Sequence, residues 1–497
     1  MSEHFISRAD AESDLLACAA FIAESINGGD AKADAIASVV PTYLERGNVD
    51  LAAELANSVD DPFTRDRLLI AVAEKCAELN DDEYALQLAE AIEEPGLQAQ
   101  AFEHIGIIKA NSGDLDKARE VSALMVHPDV VMASVAVKQA ADGDVANAFK
   151  TIDEIEYAGA AVSALNAIAA KKIDDENTES LGVILDRSTR EAGEIEHDEE
   201  RIGSLIGIGN LFVASGDNSR AVETFEKARV DAEGLDNVHR DLLLGKVSLG
   251  FLQAGSMDLA DRTLDAITDK TQIATVLFGF ARDYWRKEVR DEAFDALEEA
   301  YEILKSQHET ETRDSKARFS LMGQIAIQFA GFEKGERALE IAESIEDAQR
   351  TGALSQIARI ASTQKNDVIS RQALASLNED TDRAFALIGM SDAAAENSEN
   401  ERAIELIGEA VDLIESIPQP TLKASAFTET VPRLITLNEP QKARIAFGSA
   451  LDAIAAIRDD SKQASIMAAL NNSIEKSEFR LSEDETSKLK ELIGGEN

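Results

Sequence analysis

Reactive chemistry is scarce in this chain. Its two cysteines, Cys18 and Cys76, are too few for a disulfide framework and fall on apolar helical faces, where packing accounts for them. The six histidines are scattered, and none supplies an H-E-x-x-H pairing; His308-Glu309-Thr310-Glu311 lacks a second ligand one helical turn away. No metal site is therefore expected. Gly207-Ile208-Gly209 lies within a helical pattern that no strand precedes, so it is not a dinucleotide fingerprint. Leu244-Gly245-Lys246-Val247 lacks the rest of a phosphate loop. No cofactor and no catalytic residue are expected.

Long apolar runs are missing as well. The stretch Leu15 to Ala23 is far too short to cross a bilayer, and MSEHFISRADAE has no basic region leading into an apolar core, so a cytoplasmic location is expected. Positive charge is in deficit, with 49 basic against 94 acidic residues and a formal charge of -45. Such a chain repels nucleic acid and anionic membranes. Paired carboxylates are so common that they carry no information about acid-base chemistry. The acidity is spread along the chain and fits a protein adapted to high internal salt, as in a halophilic host, where screening relieves self-repulsion. An ordinary acidic cytosolic protein is the alternative.

What the sequence does contain is a repeated pattern. In Arg201 to Val230, Leu205, Ile208, Gly209 and Phe212 share one helical face, and Ala221, Phe225 and Ala228 do the same after Ser215-Gly216-Asp217. Neither half is long enough to stand alone. Small Gly209 and Ala221 let two helix backbones approach, Gly216 ends the first helix, and Asp217 caps the second. The turn-following alanines Ala52, Ala85 and Ala118 recur at intervals of 33 residues, and Ala260 to Ala293 repeats that interval. Acidic residues end one hairpin and an arginine opens the next at Asp60-Asp61/Arg65, Asp347/Arg350 and Glu379-Asp380/Arg383. These read as ion pairs or helix caps between adjacent units, each worth little if exposed.

The Leu205, Gly209, Phe212, Ala221, Phe225 and Ala228 pattern, with its Gly216 turn, resembles the tetratricopeptide repeat, a 34-residue helix-turn-helix unit. Leu205 stands where the family usually has an aromatic, and Glu233 where it often has proline. The resemblance implies an all-α, right-handed superhelical solenoid of roughly a dozen helix-turn-helix repeats. Its expected parts are an N-terminal array over 1–193, a bend at 194–200, a central array over 201–417, and C-terminal repeats with a capping helix over 418–497. That last helix, opening at Ser482-Glu483-Asp484-Glu485, reads as a polar, solvent-facing end of the array. A first helix is expected from about Ala11 to Ile26, and Pro432 is expected to kink or break its helix near Val431.

In the family this chain resembles, the first helix of each hairpin lines a concave groove that receives a peptide or partner helix. Carried over by position, this places Asn210, Arg282, Trp285 and Arg286 on the groove side. Arg282 and Arg286 share a helix face with Trp285, the one tryptophan, beside them. Such a patch holds a partner's carboxylate while stacking on its apolar part; the alternative is packing of Trp285 between units beside salt-bridged arginines. Other inner positions, Ile206, Phe278, Ile327 and Phe385, are apolar and need cover from a tight curl or a partner. The expected function is a non-enzymatic scaffold or adaptor that binds a protein partner through the concave face. A structural subunit of a larger complex or homo-oligomer is the second reading, and an enzyme with an unrecognised pocket between repeats the third.

Overall fold

The computed structural model describes residues 4–177, 179–306, 312–346 and 348–494, the side chains of 312–314 excepted. Among the described residues there are twenty-eight helices and no strand. The first are α1 (Arg8–Ala11), α2 (Leu15–Ser25), α3 (Gly29–Glu45), α4 (Val49–Asn57), α5 (Pro62–Glu78), α6 (Asp82–Ala91), α7 (Pro95–Ser112), α8 (Leu115–Ser122), α9 (Asp129–Ala141) and α10 (Val145–Asp153). Next come α11 (Ala158–Asp174), α12 (Leu181–Ala192), α13 (Asp198–Ala214), α14 (Asn218–Glu233), α15 (Arg240–Gln253), α16 (Met257–Asp265), α17 (Lys270–Arg286), α18 (Arg290–Lys305), α19 (Thr312–Gly331) and α20 (Gly335–Glu343). The chain ends with α21 (Ala348–Thr363), α22 (Asp367–Ala375), α23 (Asp380–Glu396), α24 (Asn400–Ser416), α25 (Pro420–Thr436), α26 (Pro440–Ala455), α27 (Asp460–Ile474) and α28 (Glu483–Gly494). The architecture is all-α, built of paired helices in a repeat-like array, and it divides into two units: Phe102–Ile325, and Met1–Ala101 with Ala326–Asn497.

The hairpins share one turn chemistry. After α13, Gly216 takes φ 83° while the Asp217 N–H donates to the Phe212 carbonyl at 2.9 Å, and the Asp217 side chain accepts from the Arg220 N–H to start α14. The left-handed residue lets the chain reverse without losing its last helical hydrogen bonds. Non-glycine residues hold the same place elsewhere, among them Asn80, Glu288, Glu333, Lys365, Ser398 and Asn438.

Within the unit Phe102–Ile325, the first helices α9, α11, α13, α15 and α17 pack on one another in succession, and each also packs on its own second helix. Gly209 was expected to let two backbones approach. It does something more specific, because the fully buried Phe225 ring sits where a Cβ on Gly209 of its own hairpin, or on Gly250 of the next, would have to be. Phe251 meets the same ring edge-on, with centroids 5.8 Å apart. Residues 193–197 connect α12 to α13 with Ile195 buried and its carbonyl accepting from Arg201 at 3.1 Å.

The acid-then-arginine positions act as caps and cross-links. Asp61 accepts from the Thr64 N–H to start α5, and Arg65 reaches Glu93 at 3.2 Å across its hairpin. Arg350 and Arg383 donate to the loop carbonyls of Ser376 and Leu377, both at 2.9 Å; Asp347 lies outside the described residues. A related device recurs at three first helices. Asp66, Asp129 and Asp241, each near the start of a first helix, accept backbone N–H groups 27 or 28 residues on, at Glu93 and Glu94, at Glu156, and at Thr268 and Asp269.

In the unit made of the two chain ends, α21, α23, α25 and α27 pack in succession, and α3 and then α5 continue the series. The helix packed along α27 is α2, from the other end of the chain. Three observations identify α2 as the second helix that pairs with α27. Its Ile22-Ala23-Glu24-Ser25-Ile26 is identical to Ile341-Ala342-Glu343-Ser344-Ile345 at the end of the second helix α20. Ile26 caps it in extended conformation (φ -68°, ψ 131°), as Ile92 and Ile417 cap α6 and α24. Arg46, just past α3, binds Glu475, just past α27; Gln364 and Asn397, just past α21 and α23, likewise reach back to the ends of the preceding first helices at Ala330 and Thr363. Helices α2 and α27, from opposite ends of the sequence, thus form one composite hairpin.

Several expectations change here. The single helix expected from Ala11 to Ile26 is broken at 12–14, because Asp14 leaves helical geometry to accept the Ala17 N–H at 2.8 Å and cap α2. The final helix does open on a reciprocal cap, with Ser482 Oγ accepting from Glu485 N–H and Glu485 accepting from Ser482 N–H. It is not merely solvent-facing, since Leu489 is fully buried and α28 packs on α1, α2 and α26. α25 runs from Pro420 to Thr436 as one helix through Pro432.

Candidate interaction surface

The expected patch lies at the end of α17 and the start of α18. Asp269 starts α17 by accepting the Gln272 N–H at 2.8 Å, and Ala274, Leu277, Phe280 and Ala281 bury its inward face. Glu288, in left-handed conformation, turns the chain, and the Val289 N–H closes on the Tyr284 carbonyl at 2.9 Å. The reversal lays α18 over Trp285. The Arg290 guanidinium carbon stands 3.4 Å from the indole centroid, and Phe294 meets the ring edge-on at 5.8 Å.

Trp285 is consequently half-buried, while Arg282 and Arg286 are exposed. The arginines differ in their commitments. Arg286 pairs with the buried Asp283, which also forms an ion pair with Lys287 at 2.7 Å. Arg282 enters no ion pair among the described residues. Asn210 is exposed on α13, and α15 packs against both α13 and α17, so the expected residues do not converge on one point. The apolar inner positions show a gradient: Ile206 is buried, Phe278 and Ile327 are half-buried, and Phe385 is 40% exposed.

A denser polar constellation sits at the composite hairpin. Arg46 binds Glu475 through two nitrogens, both at 2.8 Å, Asp14 at 3.1 Å and the Asn471 amide oxygen at 3.0 Å. Thr42 donates to Asn472 at 2.9 Å, across 430 residues of sequence. The hydrogen bond from Arg46 holds Glu475 below the usual carboxylate range against the opposing effect of burial, and Asn471 assists. Burial and then Asp14 push the Cys18 thiol up to about 12, so Cys18 is an inert apolar side chain. Burial likewise raises the Cys76 thiol, to about 11. The buried Tyr43 hydroxyl beside this network has no hydrogen-bond partner among the described residues. Two clefts open next to it, of about 390 Å³ and about 780 Å³, and Phe479 and Arg480 line both. No sequence motif pointed to this place, because its residues are hundreds of positions apart.

Among the described residues no three His, Cys, Asp or Glu side chains are grouped to hold a metal, and no helix is long and apolar enough to cross a membrane. No protein-family model matches the chain, and no curated protein does. Solved structures similar to it include Ton1535 from Thermococcus onnurineus, at 16% identity and TM-score 0.26 over 71% of this chain and 98% of that one. Another is the quorum sensor NprR from B. thuringiensis, at 11% identity and TM-score 0.25 over 66% and 97%. A third is Naa15/Naa10 bound to HypK-THB, at 14% identity and TM-score 0.30 over 94% and 79%. Likeness at this level carries no argument about partner or activity.

Proposed function

We propose that the protein is a non-enzymatic scaffold or adaptor, a tetratricopeptide-like right-handed solenoid that recognises a protein partner through the face formed by its first helices. The observation that supports this most is the half-buried Trp285, packed by Arg290 and Phe294 and flanked by exposed Arg282 and Arg286 on a chain of charge -45. A fixed aromatic with adjacent guanidiniums costs little side-chain entropy on binding and suits a partner segment carrying a carboxylate next to an apolar group. The partly exposed Phe385 on a first helix of the other unit fits the same mode.

Assembly through matching array ends is less well supported, because α2 already covers α27 within one chain. The test is purification from the native host at the host's own salt concentration, followed by identification of co-purifying chains and the mass of the complex. A stoichiometric partner that is lost on Trp285→Ala, with helical content intact, is the expected result. A monomer without partner at both high and low salt would remove this reading.

A further inference from the structure

Hairpins such as α13–α14, α17–α18 and α25–α26 reverse through a tight turn, but the chain leaving α27 does not. Because α2 fills the second-helix place beside α27, the chain beyond Glu475 cannot turn back there, and residues 475–482 run as an irregular strap to α28. The strap diverges from the α25–α26 turn and leaves the cleft of about 780 Å³. That volume falls in the range of small-molecule sites, roughly 300–1,000 Å³.

One wall of the cleft is apolar, from Pro432, Ile435 and Phe479. Its charge runs against the rest of the chain: Arg444, Lys476 and Arg480 line it, with Glu478 the one carboxylate among the lining residues. Arg444 is spoken for. It pairs with the buried Glu485 at 2.7 Å, donates to the Arg480 carbonyl at 2.8 Å and lies over the Phe479 ring at 4.4 Å, which fixes the strap. Phe479 is anchored from behind by Phe447, with centroids 4.8 Å apart. Lys476 and Arg480 are uncommitted. Neither enters an ion pair among the described residues, and the Arg480 guanidinium donates only to the adjacent Phe479 carbonyl, at 3.0 Å.

We propose that this cleft binds a small organic anion, a carboxylate or phosphate group carried on an apolar body. Lys476 and Arg480 take the anionic end through charge-assisted hydrogen bonds, and Ile435, Pro432 and Phe479 take the body. The site is distinct from the Trp285 surface and does not depend on it.

The experiment is calorimetric titration of the full chain at low salt with benzoate, phenyl phosphate and the neutral benzamide, with hydrogen exchange followed across 472–480. The expected result is saturable one-to-one binding of at least one anion, slowed exchange over that segment, and at least tenfold weaker binding of benzamide. Benzoate alone would define a carboxylate site, and phenyl phosphate alone a phosphate site. The Lys476→Gln/Arg480→Gln pair should weaken binding at least tenfold with helical content unchanged, while Arg282→Gln should not weaken it. Absence of binding by both anions, or binding that survives the double substitution, overturns the proposal.

Discussion

Glu475 makes a single carboxylate answerable for a contact between the two ends of the chain. Its acidity is raised by the Arg46 hydrogen bond, so its folded-state pKa lies below the unfolded value. A depressed carboxylate contributes stability that is complete above the unfolded pKa, about 4.3, and is lost as pH falls through the folded value. The net charge of -45 works the other way at first, because protonation toward the pI near 4.4 relieves self-repulsion. Thermal unfolding should therefore shift upward from pH 7 to about 5 and downward below about 4. Glu475→Gln should lower the midpoint at pH 7 and flatten the acid limb. Calorimetry from neutral to acid pH in both proteins checks this, and an acid limb unchanged by the substitution would remove Glu475 from the account. Asp241 and Glu409 contribute in the same direction: burial tends to raise Asp241, but the N–H groups of Asp269 and Thr268 outweigh it, and Arg371 lowers Glu409. None of these carboxylates stood out among the 94 acidic residues, because position in three dimensions, not residue type, separates them. Phe225 was legible as a motif residue, but its second glycine, Gly250, belongs to the next hairpin and had no signal within the unit.

At the scale of the element, the turns explain both what could be read and what could not. Where glycine takes the left-handed place, as at Gly113, Gly216 and Gly255, the hairpin is plain in the sequence. Where Glu288, Glu333 or Lys365 takes it at φ about 60°, no local signal remains and spacing has to carry the reading. A residue with a Cβ pays a steric cost of about 1–2 kcal/mol in that conformation, partly offset by glycine's greater freedom in the unfolded chain. Glu288→Gly should therefore stabilise the α17–α18 hairpin by roughly 0.5–1 kcal/mol, whereas Glu288→Val should destabilise it. Because the substitution acts on one hairpin, the measurement is hydrogen-exchange protection within α17 and α18. Equal protection in the glycine and valine variants would show that the turn conformation is not limiting. The break between α1 and α2 escaped notice for a related reason. Apolar residues continue through Leu15 and Leu16, and only the Asp14 side chain, acting on the Ala17 N–H, stops the first helix and begins the second.

For the whole molecule, the consequential feature is that α2, early in the sequence, serves as the second helix of α27, late in it. The signal was present in the repeated Ile-Ala-Glu-Ser-Ile at 22–26 and 341–345, but its meaning needs the far end of the chain. If α2 is the second helix of α27, its position in the sequence matters less than its presence. Removing residues 4–28 uncovers α27, where Met467 and Leu470 are fully buried, and forfeits the burial of Leu15, Leu16 and Ile22. Each such side chain is worth about 2–5 kcal/mol when truncated in a packed core. The deletion should lower the unfolding temperature steeply and promote self-association through the exposed face. Restoring the same residues at the other end should reverse both effects. Arg8 lies beside Gly494, so a short flexible linker can join residue 494 to residue 4 in a chain that starts at Gly29. That permuted chain should keep the parent's oligomeric state where the deletion associates further, with stability within about 1 kcal/mol of the parent, the size of a loop-closure change. A permuted chain as unstable as the deletion would mean that α2 works only through its covalent link to α3, and the composite hairpin would lose its physical basis.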